Sequence, residues 1–201
     1  MTTEIVSPGI VARGLGLLTT SGWVYREVDF DVPQGALALV TGPAGCGKTA
    51  LLLTLAARMR PSAGALRVAD QVRAELDLYG LGRKRGDVAA ALEPVGLELD
   101  ARVRVGDLHA ADRLLLGVAL AAIGRPAFLV VDDLHEDLTP AEHELALARL
   151  RELTRSGTTI VAGSLDPALS SRADVVLELS PNGRPAGSVP TTRPEADHAL
   201  V

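Results

Sequence analysis

The run Gly42-Pro43-Ala44-Gly45-Cys46-Gly47-Lys48-Thr49 matches the pattern G-x-x-x-x-G-K-[ST] in full. It is preceded by Ala36-Leu37-Ala38-Leu39-Val40, an apolar run of strand length, and followed by Ala50 to Ala57, an apolar run of helical character. A strand, a glycine loop and a helix in that order leave few choices of architecture. The loop must sit at the carboxyl end of a buried strand, with its backbone curled so that successive N–H groups point inward. Such a nest, with the positive end of a helix dipole behind it, suits a polyphosphate. The pattern predicts a nucleoside triphosphate site formed by Gly42, Pro43, Ala44, Gly45, Cys46, Gly47, Lys48, Thr49 and Ala50. Lys48 is expected to bridge the outer phosphates, exposed in the loop, and the Thr49 hydroxyl to ligate Mg²⁺.

The rest of the chain reads as alternating strands and helices. Phe128-Leu129-Val130-Val131 is a continuous apolar strand of the kind found in sheets covered on both faces. Thr158 to Ala162 is another, ending at Gly163-Ser164, and Asp174 to Leu179 is expected to close the sheet. Leu114 to Ile123 reads as a buried helix and Ala141 to Leu153 as an amphipathic one. From Ile10 to Val32 the chain alternates as short strands, with Val24, Val28, Phe30 and Val32 inward; Pro33-Gln34-Gly35 turns it into the loop strand. This is an α/β pattern with a mostly parallel sheet, and ligands of such sheets bind at the carboxyl ends of the strands. Pro181 to Val201 carries four prolines and no periodicity, so it reads as a disordered tail.

Asp132 stands at the tip of the strand 128–131. One carboxylate on a rigid strand beside a phosphate loop is what holding Mg²⁺ requires. The bulk numbers exclude several other roles. At 201 residues the chain makes one domain. A net charge of −5 offers no basic surplus for nucleic acid, and Arg83-Lys84-Arg85 reads as a solvated loop. With 47% hydrophobic residues but only 2% aromatic, the core must be built from Leu, Val and Ala. Cys46 is the lone cysteine, which rules out an internal disulfide and suits a reducing cytoplasm. The apolar run 114–123 is too short to span a bilayer, so any membrane role needs a separate subunit. His109, His135 and His143 lack metal-ligand spacing, and His143, between Glu142 and Glu144, is expected in solvent.

Taken in order, these pieces resemble the ATPase cassettes of ABC transporters, from about Ile10 to Leu179. The β-rich entry Val28 to Gly35, the turn Pro61-Ser62-Ala63-Gly64 and the segment Arg125 to Asp133 carry the resemblance. Leu108-His109-Ala110-Ala111-Asp112-Arg113 falls where the family has its Leu-Ser-Gly-Gly-Gln signature, and Gly157 to Ile160 fits the strand before its switch histidine. The resemblance implies a P-loop NTPase fold of three layers over residues 1–180, a β-rich N-terminal part and a reduced helical insertion at about 71–123, with 181–201 as the tail. It implies ATP and Mg²⁺ as ligands, Asp133 in the position of the water-activating carboxylate, and an aromatic, Trp23 or Tyr25, on the adenine. Trp23, beside Gly22 in a turn, is the candidate for the base; Tyr25 is expected to pack in the sheet. It also implies a separate integral membrane partner and a peripheral place at the inner face of the membrane.

The departures from the family matter as much as the matches. Asp133 replaces the usual glutamate and is shorter by roughly 1.5 Å, which moves a general base away from its water. Asp112 brings negative charge to the signature, Leu165 stands at the switch position, and Thr139 takes the place of an interface aspartate. No counterpart of the glutamine loop is found. The binding half of the machine is therefore intact and the dimer-dependent half eroded. These residues imply slow or partner-dependent hydrolysis, and a chain mainly monomeric when isolated. The alternative is a nucleotide-dependent regulatory module with negligible turnover, and a P-loop kinase is a third reading. No Asn-Lys-x-Asp segment supports a GTPase.

Overall fold

The computed structural model describes residues 8–68, 92–98, 105–122, 125–132, 134 and 138–190. The chain opens with β1 (Pro8–Thr19) and β2 (Gly22–Pro33), then β3 (Leu37–Thr41), α1 (Lys48–Leu55) and β4 (Ala63–Val68). After two short 3₁₀ turns come α2 (Ala110–Ala122), β5 (Phe128–Val131), α3 (Pro140–Arg155), β6 (Thr159–Ser164), a 3₁₀ helix at Pro167–Arg172, β7 (Val175–Leu179) and β8 (Pro185–Pro190).

Two sheets result. A five-stranded sheet runs in the order β5-β6-β3-β7-β8, and a three-stranded antiparallel one in the order β2-β1-β4. In the larger sheet β3 pairs parallel with both β6 and β7, and β5 pairs parallel with β6. β3 is central because every one of its side chains is buried, as a strand covered on both faces requires. Its alternation divides the interior. Ala38 and Val40 join β1, β2 and the α1 residues Leu51, Leu52 and Leu55 in one cluster. Leu37 and Leu39 face α2 and α3 in a second cluster, with Ile160, Leu147 and Leu150. This is the expected α/β architecture, with its mostly parallel sheet.

The helix α3 starts where its sequence says it should. The Thr139 side chain accepts from the Glu142 N–H, Glu142 returns the bond to the Thr139 N–H at 2.7 Å, and Pro140 fills the first position. At the far end of the sheet, Asp174 accepts from the Leu37 N–H at 2.8 Å and pairs with Arg151 at 2.6 Å, which fixes the entry of β3.

Several expectations need correction. The entry strands are one long hairpin, because register shifts along β1 break the alternation that would have revealed its length. The disordered tail does not begin at Pro181: residues 181–184 form a turn, and β8 pairs antiparallel with β7. Thus β7 does not close the sheet; β8 does, with its prolines at the strand ends of an edge, where a missing N–H is tolerated. Residues 191–201 lie outside the described residues, as do Arg83, Lys84, Arg85, His135 and the insertion from 71 to 91. His143 is buried, with no hydrogen-bond partner for Nε2 among the described residues, because it shares the inward stripe of α3 with Ala146, Leu147 and Leu150.

Candidate functional site: a phosphate loop at the carboxyl edge of the sheet

The loop between β3 and α1 takes the shape its glycines allow. Gly42, Gly45 and Gly47 have φ of 140°, 78° and 99°, all in the region L side chains avoid. Two of them also meet backbone. A Cβ on Gly42 would overlap the carbonyl oxygen of Leu179 and lie 2.9 Å from Cys46 Sγ; one on Gly47 would lie 2.8 Å from the Val24 oxygen. The loop is therefore wedged between the end of β7 and the start of β2. Pro43, Ala44, Gly45 and Thr49 are exposed, Gly42, Gly47 and Ala50 half-buried, and Cys46 buried.

Gly47 caps α1 in a left-handed conformation without any side-chain hydrogen bond to the first turn. The first N–H groups of the helix are thus left for an anion. Lys48 is not exposed, contrary to expectation; it is 7% accessible. Its Nζ donates to the carbonyls of Gly42 at 2.8 Å and Pro43 at 2.9 Å, with Cys46 Sγ at 3.9 Å. An ammonium has three donors, so two brace the loop and the third, on a weak sulfur contact, can be exchanged for a phosphate oxygen. The loop curls around the lysine, and that curl is what buries it.

Asp132 follows β5 and is exposed. β6 lies between β5 and β3, and Thr41 and Ser164 are partners in register at the ends of their strands. The phosphate loop and Asp132 therefore occupy the same edge of the sheet, two strand spacings or about 10 Å apart. Between them stands Leu165, directly after the buried Ser164, whose Oγ accepts from the Asp166 N–H at 3.0 Å. Leu165 is 42% exposed and supplies no side-chain donor. Asp133 lies outside the described residues.

Trp23 is 42% exposed at the start of β2, and its indole lies against Gly16, where a Cβ would fall 2.8 Å from Cζ3. It is one residue from Val24, whose carbonyl abuts Gly47. Tyr25 packs inside, as expected. Its hydroxyl donates to Thr54 Oγ1 at 2.6 Å, which in turn donates to the Ala50 carbonyl. Burial pushes the Tyr25 hydroxyl pKa up, partly opposed by the bond to Thr54. Asp112 sits in the first turn of α2, where its charge complements the helix dipole, and His109 is exposed just before that helix. Sequence reasoning missed the β7–β8 turn and Gly16 as neighbours of the site; Asn182-Gly183, a common turn pair, was the available signal.

The family model described as "ABC transporter" matches residues 25–83. The taurine import ATP-binding protein TauB of Pseudomonas aeruginosa is 27% identical over 92% of this chain and 80% of its own length. Among solved structures, the ATP-binding cassette MJ0796 in a dimeric post-hydrolysis state superposes with a TM-score of 0.78, at 16% identity, over 92% of this chain and 99% of that one. The protein cbiO1 from Clostridium perfringens also gives 0.78 at 16% identity, covering 92% of this chain and 89% of its own. The likeness covers far more of the chain than the segment that the family model matches. With this loop geometry and sheet order, the chain is similar to the ATP-binding proteins of ABC transporters, and its fold is that of the ATP-binding cassettes.

Proposed function

We propose that this chain is a Mg-ATP-binding subunit of ABC type that works with a separate integral membrane protein and hydrolyses ATP slowly, or only within that complex. The observation that carries the reading is Lys48. It is held by two loop carbonyls with one donor to exchange, at the mouth of a helix whose first N–H groups no side chain caps. That arrangement fits a polyphosphate without rebuilding the loop. Thr49, exposed on the first turn of α1, and Asp132, on the same edge of the sheet, are the groups we assign to Mg²⁺. The bound metal supplies charge neutralisation between the outer phosphates. Trp23 offers a half-exposed indole to the base. The membrane partner is supported by likeness to an import ATP-binding protein, and by the absence, among the described residues, of any helix long and apolar enough to cross a membrane.

Slow turnover is supported by residue chemistry. In this reading Asp133 is the general base, and its short side chain holds the proton-accepting oxygen farther from the attacking water than a glutamate would. Leu165, between the loop and Asp132, can neither donate nor accept through its side chain. The same residue favours the second reading, a regulatory module that uses ATP as a ligand without turning it over. Asp112 and Thr139 lead us to propose further that the isolated chain is mainly monomeric. One experiment separates the two readings: ATP turnover by the purified protein, with Lys48→Ala as the blank and Asp133→Asn beside it. Turnover above the blank that Asp133→Asn lowers supports the ATPase. Turnover no higher than the blank leaves the regulatory module.

A further inference from the structure

We propose that the turn between β7 and β8 is a positioning element for the nucleoside end of the site, with Gly183 as the residue through which it acts. This rests on the assignment of Trp23 to the base. Gly183 is buried, has φ of 71°, and touches backbone: a Cβ there would overlap the Val24 carbonyl oxygen and lie 2.8 Å from Tyr25 Cα. Its own carbonyl accepts from the Arg26 N–H at 3.0 Å. The turn is stiff, because the Ser180 N–H donates to the Arg184 carbonyl at 2.8 Å and the Gly183 N–H donates to the Ser180 carbonyl at 2.9 Å. An outer tether joins Arg184 to Glu27 at 3.0 Å.

β2 meets the phosphate loop at the same residue. The Val24 carbonyl that meets Gly183 is also the atom that a Cβ on Gly47 would approach to 2.8 Å. β7, which leads into the turn, ends at Leu179, whose carbonyl lies under Gly42. Three glycines thus let three backbones meet with no side chains between them, and β2 at Val24 is clamped between loop and turn. Trp23 is the next residue. Interiors packed this closely transmit a shift instead of absorbing it. A side chain at 183 must push β2, and with it the indole, while the loop's own hydrogen bonds through Lys48 stay in place. The turn therefore sets where Trp23 stands relative to the phosphates, and because two loop carbonyls hold Lys48 independently of β2, its effect falls more heavily on the nucleoside than on the triphosphate.

Trp23 is the chain's single tryptophan, so its emission reports on this site alone. The test titrates wild type, Gly183→Ala and Arg184→Ala with Mg-ATP and with Mg-tripolyphosphate. Tryptophan emission is followed throughout, with Trp23→Ala as the reference for base contact. If the displaced indole finds its seat one time in ten, Gly183→Ala weakens Mg-ATP binding about tenfold and shifts the emission of the free protein. Tripolyphosphate binding should change by less than about twofold. Arg184→Ala introduces no clash and folds; loosening the outer tether should weaken Mg-ATP alone by about twofold. Equal losses for both ligands, or unchanged Mg-ATP affinity in both variants, overturn the proposal. A Trp23→Ala protein that binds Mg-ATP as wild type does overturns the base contact itself, and the positioning role with it.

Discussion

Replacing Lys48 by Ala takes away a phosphate ligand and, in the same step, two hydrogen bonds of the nucleotide-free fold. The bonds to Gly42 and Pro43 are charge-assisted, a class worth about 1.5–3 kcal/mol each. The sum is not the cost. Pro43 is exposed and its carbonyl can turn to water, and deleting a buried ammonium also removes the penalty of desolvating it. A net loss of about 2 kcal/mol remains, largely from the half-buried Gly42 carbonyl. For a domain of this size each kcal/mol moves the melting temperature by about 2–4 °C, so Lys48→Ala should melt about 4–8 °C below wild type without nucleotide. Differential scanning calorimetry measures this directly. Lys48→Met keeps most of the aliphatic stem and should fall by nearly as much, which separates lost bonds from lost packing. The second half of the scan adds Mg-ATP at a hundred times its dissociation constant. Wild type should gain about 2.7 kcal/mol and both variants none. A nucleotide-free Tm within a degree of wild type would refute the brace, and full stabilisation of the variants by Mg-ATP would refute the phosphate role.

Asp132→Ala should weaken ATP binding in the presence of Mg²⁺ more than in its absence, as calorimetric titrations with and without the ion would show; equal losses would remove Asp132 from the metal. Gly16→Ala introduces no positive-φ strain but displaces the Trp23 ring, so its emission should shift and Mg-ATP affinity fall with little change in Tm; unchanged emission would mean the ring does not rest on Gly16. Thr139→Ala removes the N-cap of α3 and should cost about 1 kcal/mol, read as a Tm lower by about 2–4 °C. The cap also gives a pH signature. Thr139 donates to Glu142 from both hydroxyl and backbone and holds its carboxyl below the usual carboxylate range. The folded pKa is lowered, so this contribution is complete above the ordinary carboxylate pKa and is lost as pH falls through the lowered one. Glu142→Gln should flatten that part of the stability profile, and an unchanged profile would assign the acid sensitivity elsewhere.

What could be read from the sequence was whatever is local. The phosphate loop is a contiguous pattern, and 36–40, 128–131 and 160–162 are unbroken apolar runs, so neither needs a distant partner to be recognised. The errors share a physical cause, since each concerns a side chain or strand whose surroundings come from elsewhere. Lys48 looked exposed because the curl of the loop around its ammonium is not written in the residues beside it. His143 was assigned to solvent from its glutamate neighbours, yet adjacent residues on a helix point in different directions. Its spacing to Ala146, Leu147 and Leu150 gave the burial. β8 was hidden because prolines at its two ends read as disorder, while on an edge strand they are permitted. The contacts of Gly16 and Gly183 are tertiary and carried no local mark beyond the residue itself.

Two of the positions read as departures from the cassette pattern, Thr139 and Asp112, have a role within the chain itself. Thr139 uses its hydroxyl in the cap of α3, a task an aspartate also performs, so the change there leaves the helix start intact. Asp112 places a charge in the first turn of α2, which favours that helix whatever it does to a phosphate arriving from outside. Leu165 follows a strand end fixed by Ser164 and by the bond from the Leu134 N–H to the Gly163 carbonyl, neither of which involves its side chain. None of these arrangements touches the two carbonyls that hold Lys48 or the glycines that shape its loop. The start of α3 can therefore be altered without disturbing the loop, because the bonds of Thr139 run to Glu142. Mutations more than about 7–10 Å apart with no common partner add independently. The Thr139 cap and the Lys48 brace should therefore contribute to stability additively.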